Sequence, residues 1–192
     1  LSWLMAMLLP VILMIIALAP EGFHIWLGED FAVQSTPIMR LLTTGIFIYC
    51  LTYIPFSFLQ GIGRPDIPAL IHLVEFPLFV VLAIHMIKHF GISGAATAWA
   101  IRAILEFVVM LGFSRKFAPV INQYVIRWTV CLLASLIMII SIMLCGPLLW
   151  RITATTASLL IWMGLAWSYL FDDSDRSELL RRLNNLQGAQ VN

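Results

Sequence analysis

The sequence predicts an all-α protein, a polytopic membrane helix bundle with six transmembrane helices. Of its 192 residues, 61% are hydrophobic and only 11% are charged, against roughly 25% charged in an ordinary soluble domain. The apolar residues fall into six runs, each near the ~20 residues that cross a hydrocarbon core of ~30 Å. Because apolar and polar residues do not alternate within the runs, helices are favoured over the strands of a membrane barrel.

The six spans define one predicted transmembrane domain over residues 1–171. They cover approximately residues 2–19, 37–60, 67–88, 92–113, 125–149 and 152–171. Four ionisable residues lie deep inside the third and fourth spans, whereas the last two contain no charge except Arg127 at the start of the fifth and are predicted to be plain spans.

The remaining residues, 172–192, form a predicted cytoplasmic tail. Four of its leucines share one face of a helix, which is typical of a short amphipathic helix at the membrane surface: Leu179, Leu180, Leu183 and Leu186. At the other end, the first apolar run has no basic flank and no small-residue cleavage site, so we expect no signal peptide. Since the chain begins at Leu1, we expect a fragment of a longer protein.

A polar loop is predicted between the first two spans, over residues 20–36. It carries three carboxylates and no lysine or arginine. Its aromatic residues Phe23 and Trp26 are typical of anchors at a membrane interface. Thr36 followed by Pro37 predicts the start of the second span, since threonine caps helices and proline is favoured in the first turn.

Some residues inside the spans have more than one interpretation. Arg40 lies one turn inside the second span, and we expect its side chain to snorkel back to the interface. Pro10, Pro55 and Pro77 are expected to kink their helices, which membranes tolerate where neighbouring groups bond to the freed carbonyls. Such kinks serve either helix packing or bending during transport, and the sequence leaves both open.

A tight turn is predicted where the second span ends, at Gly61, Gly63, Arg64, Pro65 and Asp66. Two glycines and a proline favour a turn, and Asp66 is placed to cap the third span. The lone Gly-x-Gly is not a phosphate-binding loop, because neither a preceding strand nor a following Gly-Lys-Ser/Thr is present.

The third and fourth spans are predicted to form an antiparallel hairpin, because only residues 88–91 separate them. Small residues recur four positions apart where the fourth span begins, as at Gly94 and Ala98. This spacing lets two helix backbones approach closely.

Four ionisable side chains lie deep in this hairpin: His72 and Glu75 in the third span, and Arg102 and Glu106 in the fourth. An ionised group near the bilayer centre costs roughly 2.5–3.5 kcal/mol on insertion scales, so we expect these groups to have partners or a function. At ~1.5 Å per residue from the turn, Glu75 is level with Arg102 and His72 with Glu106. We therefore predict that Glu75 and Arg102 face each other, either as a structural ion pair or as a functional one.

Composition and motifs argue against several other functions. The formal net charge of +1 gives no electrostatic case for binding nucleic acid. Cys50, Cys131 and Cys145 lie in apolar runs without Cys-x-x-Cys spacing, so we interpret them as small buried hydrophobes. His-x-x-Glu lacks the His-Glu-x-x-His arrangement of a zinc protease. We expect no metal, no cofactor and no catalytic residue.

The distribution of lysine and arginine predicts the orientation. One side of the membrane takes Arg64, Arg115, Lys116, Arg127, Arg176, Arg181 and Arg182, and the other takes only Arg40, Lys88 and Arg151. The more basic side is expected to be cytoplasmic. The turn at 61–66, the loop at 114–127 and the C-terminus are therefore predicted to lie in the cytoplasm.

The stretches GRPDIPALIHLVEFPLF and GISGAATAWAIR resemble the polysaccharide and oligosaccharide flippases of the multidrug/oligosaccharidyl-lipid/polysaccharide exporter superfamily, the MATE-like exporters. The resemblance covers about a quarter of the chain at motif level. His-x-x-Glu-x-Pro followed by Ala-Trp-x-x-Arg is more specific than the glycine turns. The matching positions are Gly63, Arg64, Pro65, Asp66, His72, Glu75, Pro77, Gly91, Gly94, Ala95, Ala96, Ala98, Trp99 and Arg102.

The resemblance implies two six-helix lobes with a cavity between them, of which the chain would hold helices nine to twelve and two extra C-terminal helices. The N-terminal lobe would be missing. It also implies a flippase that moves an undecaprenyl-diphosphate-linked sugar across the bacterial cytoplasmic (inner) membrane by alternating access, for polysaccharide or lipopolysaccharide biosynthesis. The four ionisable side chains would then lie on the substrate pathway, where Arg102 would meet the lipid diphosphate.

Three alternatives remain open. A drug/cation antiporter of the same superfamily would be favoured by bare acids in the cavity, and Arg102 speaks against it. An integral-membrane enzyme usually has its histidines and acids at a helix end or in a long loop next to water. In a structural membrane subunit, all the charges would be packing pairs.

Overall fold

The computed structural model describes residues 2–119 and 122–165, without the side chains of 2, 3 and 122–126. This part of the chain is all-α, as predicted. Its helices are α1 (Ser2–Leu27), α2 (Glu29–Gly61), α3 (Asp66–Phe117), α4 (Asn122–Leu144) and α5 (Leu148–Leu165). All five are long and apolar enough to cross a membrane. The predicted tail, 172–192, lies outside the described residues.

The third and fourth predicted spans form one element, α3, which folds back on itself. The non-helical residue inside it is Gly91, with φ 60° and ψ −138°, a left-handed conformation that glycine adopts without steric cost. Arg102 Nε lies 2.9 Å from Glu75 Oε1, although 27 residues of straight helix would hold these residues ~40 Å apart. The helix therefore consists of a first arm (66–90) and an antiparallel second arm (92–117).

Glycines allow close packing on both sides of the second arm. A β-carbon at Gly94 would overlap the backbone carbonyl of Met86 on the first arm. On α2, a β-carbon at Gly45 would lie 2.6 Å from the Trp99 ring. Further along the same two helices, the Ser114 hydroxyl donates to the Pro55 carbonyl at 3.4 Å. From the first contact to the second, the residue number rises on both helices, from Gly45 to Pro55 and from Trp99 to Ser114. Helix α2 and the second arm therefore run parallel.

The hydrophobic core lies around α1, which packs on α2, α4 and α5. Its buried side chains include Met5, Leu9, Leu13, Ile16, Phe47, Leu51, Cys131, Ile139, Ile142 and Trp162. By contrast, α3 packs mainly on α2. Large apolar side chains on the first arm of α3 are therefore more than half exposed, as at Leu73, Phe76 and Val81. This surface suits contact with lipid or with another part of a larger protein.

The predicted loop over residues 20–36 is wrong. Helix α1 continues to Leu27 and α2 begins at Glu29, so that Gly28, with φ 87°, is the only break between them. Thr36 does not cap a helix; its hydroxyl donates to the Ala32 carbonyl at 2.6 Å inside α2. Helix α2 passes through Pro37, which was expected to start it, and α1 passes through Pro20, the first residue of the predicted loop.

Prolines within α1 are accommodated by side chains from other helices. Proline has no backbone N–H, so the carbonyl four residues earlier loses its helical donor. Pro10 leaves the Ala6 carbonyl free in this way, and the indole Nε1 of Trp162 in α5 donates to it at 3.4 Å. Trp162 is only 2% exposed, and this bond gives its N–H a partner as well.

Arg40 does not snorkel to the interface as predicted. Pro20 frees the carbonyl of Ile16, and Arg40 Nε donates to that oxygen at 3.2 Å. Its Nη1 donates to the Met143 carbonyl at 3.2 Å, in the last turn of α4, where carbonyls have no intrahelical donor. Arg40 therefore joins α1, α2 and α4 through backbone acceptors that would otherwise lack partners.

The last two spans were predicted to be plain, but a buried charge lies in the last described helix. Helix α4 ends at Leu144 and α5 begins at Leu148, so Arg151 lies inside a helix rather than between the predicted spans 125–149 and 152–171. It is 5% exposed, donates to the Ala17 carbonyl at 3.3 Å and forms an ion pair with Glu21. This buried arginine ties α5 to α1.

The contact between the arms of α3 gives a testable prediction. We predict that Gly94→Ala lowers the stability of the full-length protein by about 1–3 kcal/mol, because the new methyl group must push the arms apart. The measurement is the thermal unfolding midpoint in detergent micelles. The matched control is Gly112→Ala in the same arm, where an added β-carbon meets nothing within 4 Å. Equal midpoints for the two variants would contradict the packing described.

Candidate functional site

The four ionisable side chains predicted from the sequence meet between the two arms of α3. The two ring nitrogens of His72 lie near different carboxylates: Nδ1 is 3.7 Å from Glu75 Oε2, and Nε2 is 3.9 Å from Glu106 Oε1. Arg102 also contacts both, with Nε 2.9 Å from Glu75 Oε1 and Nη2 3.2 Å from Glu106 Oε2. We call these four residues the α3 charge cluster.

Helical spacing and the reversal at Gly91 together produce the cluster. His72 and Glu75 are three residues apart and Arg102 and Glu106 are four apart, so each pair lies on one helix face. The antiparallel arms then bring the two pairs to the same level. The pairing of residues within each arm follows from helical spacing in the sequence. The contacts between the arms form because the chain reverses at Gly91.

Arg102 divides its guanidinium between two carboxylates. Nη2 donates a hydrogen bond to Glu106 Oε2. Nε approaches Glu75 Oε1 more closely, at 2.9 Å, as an ion pair outside hydrogen-bond geometry. The bidentate arrangement that an arginine and one carboxylate can form is therefore absent. The guanidinium also lies 5.5 Å from the ring centre of Phe79, within the range of a cation–π contact.

The charges of the cluster do not cancel while His72 is neutral. Two carboxylates and one guanidinium leave one negative charge, and protonation of His72 would remove it. The side chain of Glu106 is only 3% exposed and that of Glu75 13%, whereas His72 is 41% exposed. His72 is thus the most exposed of these three side chains.

Two cavities border the cluster. A groove of about 430 Å³ lies between the arms of α3, with Glu75, Arg102 and Glu106 among otherwise apolar lining residues such as Leu78 and Val109. A pocket of about 80 Å³ lies between α2 and α3 and is lined by Tyr49, Thr52, Tyr53, Phe56, His72 and Glu106. Glu106 lines both, so it lies between the groove and the pocket.

The cluster also has the geometry to hold a cation, although no metal site was predicted. His72, Glu75 and Glu106 each offer one ligand atom, and these atoms all lie within 4.8 Å of one another. Arg102 already contacts both carboxylates, so a metal ion would have to displace its guanidinium. A proton on one of the ligand atoms needs no such rearrangement.

The predicted turn from Gly61 to Asp66 is present, with Gly63 at φ 76°. Asp66 is the first residue of α3, and the N-cap position is occupied by Pro65. The Asp66 carboxylate accepts a two-pronged contact from Arg64, with Nε 3.0 Å from Oδ1 and Nη2 3.0 Å from Oδ2, and this hydrogen bonding raises the pKa of Arg64. Arg64 also lies 5.1 Å from the ring centre of Phe117. The turn therefore lies next to the C-terminal end of α3.

Sequence reasoning missed a second group of charges, formed by Glu21, Arg40 and Arg151. It lies in the other half of the bundle, where its hydrogen bonds to backbone carbonyls join α1, α2, α4 and α5. The available signal was Pro20, which frees the carbonyl of Ile16 for a donor from another helix. The contacts give this group a structural role.

Five apolar helices around buried charges indicate a multi-pass membrane protein. Among curated proteins, the chain is 36% identical over 102 residues to a Shigella flexneri protein named "Putative O-antigen transporter". The alignment covers 53% of this chain and 24% of the relative, so the chain spans about a quarter of the length of that protein. No protein-family model matches the chain, and no solved structure matches it.

Because Glu75 and Glu106 both pair with Arg102, we predict that substitutions of Arg102 and of Glu75 lower the stability by different amounts. Arg102→Gln leaves two buried carboxylates without a cation and should destabilise the full-length protein by roughly 3–5 kcal/mol. Glu75→Gln leaves the Arg102–Glu106 pair intact, so we expect a loss on the order of only 1 kcal/mol. Unfolding midpoints of both variants in detergent would measure the difference. Equal losses would mean that Arg102 serves Glu75 alone.

Proposed function

We propose that the chain is the C-terminal lobe of a flippase that moves a lipid-linked oligosaccharide, a polysaccharide precursor on undecaprenyl diphosphate, across the bacterial cytoplasmic membrane by alternating access. The observation that carries this proposal is the α3 charge cluster, which sets ionisable groups between two apolar helical arms. Such groups in membrane helices mark substrate or ion pathways more often than passive spans. The name of the Shigella relative, an O-antigen transporter, supports the same class of substrate.

Arg102 is the residue proposed to meet the substrate. Glu75 lies on the other arm, whereas Glu106 lies four residues away on the same helix, so a movement of the arms separates Arg102 from Glu75 rather than from Glu106. When the lobes move, Arg102 leaves Glu75 and turns to the diphosphate of the lipid carrier. The apolar groove beside it supports this role, because a lipid-linked substrate needs an apolar surface next to the charge.

Proton uptake at His72 is proposed to accompany this step. With His72 neutral the cluster carries one negative charge, which repels an anionic diphosphate. A proton on His72 balances Glu75 or Glu106 and frees Arg102 for the substrate. The position of His72, whose two ring nitrogens lie 3.7 and 3.9 Å from the two carboxylates, supports its choice for this role.

We propose six membrane crossings with both ends of the chain in the cytoplasm. The reversal at Gly91 supports this count, because it divides α3 into two arms of membrane-spanning length. The excess of lysine and arginine at the turn after Gly61, in the loop after Ser114 and in the tail supports the orientation. The MATE-like two-lobe arrangement, with an N-terminal lobe as partner, rests on the resemblance of the hairpin sequence.

A drug or cation antiporter is the second candidate. The metal-compatible spacing of His72, Glu75 and Glu106 and the negative charge of the cluster favour it. Arg102 argues against it, since a guanidinium already occupies the place of a bound cation. A structural subunit would require the cluster to be a packing device alone. We propose no enzymatic reaction, cofactor or nucleic-acid partner.

Topology is tested by labelling single cysteines in a background without the three native ones. We predict that a membrane-impermeant maleimide reaches Glu29→Cys and Lys88→Cys from outside intact cells. Arg64→Cys and Gln190→Cys should react only after permeabilisation. Labelling of positions 29 and 88 from opposite sides would contradict the proposed six crossings, and the inverse pattern would overturn the orientation.

Function is tested by deleting the full-length gene and complementing it. We predict that deletion blocks surface polysaccharide without sensitising cells to cationic drugs, whereas drug hypersensitivity with normal polysaccharide would favour the antiporter. Glu75→Gln/Arg102→Gln keeps the net charge of the cluster, so the double variant should regain the expression lost in Arg102→Gln. It should not restore polysaccharide export. Recovery of export as well would show that the pair is only structural.

A further inference from the structure

Two histidines near the end of the first arm of α3 lie side by side on its surface. His85 and His89 are four residues apart in a continuous helical stretch, so they share one helix face. Their ring centres lie 4.7 Å apart, with 58° between the ring planes. Both side chains are exposed, and neither belongs to the α3 charge cluster.

No bond within the protein explains this arrangement of the two rings. Within the described part of the chain, their contacts are with each other and with Phe90, whose ring centre lies 6.4 Å from that of His89. Two protonated rings would repel each other, as like charges four residues apart on a helix do. The close approach therefore favours neutral rings, and neutral imidazole is the form that binds a metal ion.

The spacing of the rings matches that of two imidazoles bound to one ion. Metal–nitrogen bonds to histidine are ~2.0–2.1 Å long, so neighbouring imidazole ligands on one ion have ring centres roughly 4.5–5.2 Å apart. The observed 4.7 Å lies within this range. Histidines four residues apart on a helix also supply two zinc ligands in the His-Glu-x-x-His motif. Here the glutamate of that motif is replaced by Met86, so the spacing supports metal binding and not hydrolysis.

Lys88 indicates that this end of the arm lies at the membrane surface. Its side chain is exposed and has no ion-pair partner within the described residues, and an unpaired ammonium group is costly inside the hydrocarbon core. The first arm, residues 66–90, is also ~37 Å long at ~1.5 Å per residue, longer than a core of ~30 Å. An ion dissolved in water can therefore reach the histidines on either side of Lys88.

We propose that His85 and His89 bind one divalent transition-metal ion, a site that was not expected from the sequence. The ion belongs to the class that prefers imidazole, which includes Zn²⁺, Ni²⁺ and Cu²⁺, and Cu²⁺ binds most tightly. Each ring supplies one nitrogen, and water completes the coordination. The bound ion joins two consecutive helical turns directly before the reversal at Gly91. The proposal does not depend on what the protein transports.

The test adds one equivalent of Cu²⁺ to the full-length protein, purified in detergent without a histidine tag. Electron spin echo envelope modulation then counts the imidazoles bound to the ion. We expect two at neutral pH, whereas the α3 charge cluster, whose only histidine is His72, could supply one. Excess Mg²⁺ should leave the signal unchanged, because this hard cation prefers oxygen ligands.

An exchange of two neighbouring residues tests the geometry at constant composition. In Ile84→His/His85→Ile the two histidines are five residues apart and point to different sides of the helix. We expect one bound imidazole and an affinity for Cu²⁺ roughly a hundredfold lower, since one of two linked contacts is lost. His89→Gln should have the same effect and guards against a folding defect of the exchange. His24→Ala, the matched control at an exposed histidine of α1, should change neither value.

Three results would overturn the proposal. The first is fewer than two imidazoles on Cu²⁺ in the unsubstituted protein, and the second is displacement of the ion by Mg²⁺. The third is an affinity that stays unchanged in the exchange variant or in His89→Gln, which would place the bound ion on other histidines.

Discussion

Arg102 supplies the positive charge that two buried carboxylates share, and the hairpin of α3 depends on that charge. Glu75 comes from one arm and Glu106 from the other. The guanidinium therefore offsets the charge of a carboxylate on the opposite arm as well as one on its own arm. In an apolar medium, an unpaired carboxylate would cost several kcal/mol. The reversal at Gly91 places the cation where both acids can reach it.

A related constraint acts on the backbone of α1. Its prolines free carbonyl oxygens that no water in a bilayer core would satisfy. Trp162 and Arg40 donate to the carbonyls of Ala6 and Ile16, so each defect in one helix becomes a point of attachment for another. This explains why α1 occupies the centre of the bundle and why a helix with two prolines remains continuous through both.

The sequence predicted the all-α class and the level of Glu75 with Arg102, because apolar runs, a glycine turn and a fixed rise per residue are local signals. It failed over residues 20–36, where the polar residues were interpreted as a loop and Pro37 as a helix start, because a side chain from another helix donates to the Ile16 carbonyl that Pro20 frees. The donor, Arg40, lies 24 residues beyond Ile16 and is not a local signal. For the same reason the burial of Arg151 against α1 could not be foreseen, nor could the division of Arg102 between two acids.

The most direct test of the central claim is the distance between the two arms of α3 in the full-length protein. Leu70 and Val109 line the same groove, although 39 residues separate them along the chain. Spin labels at these positions, measured by double electron–electron resonance in liposomes, should lie no more than about 20 Å apart, since helices in contact have axes ~8–10 Å apart and each label adds several ångströms. A continuous straight helix would hold the labels roughly 58 Å apart, and a distance near that value would contradict the account.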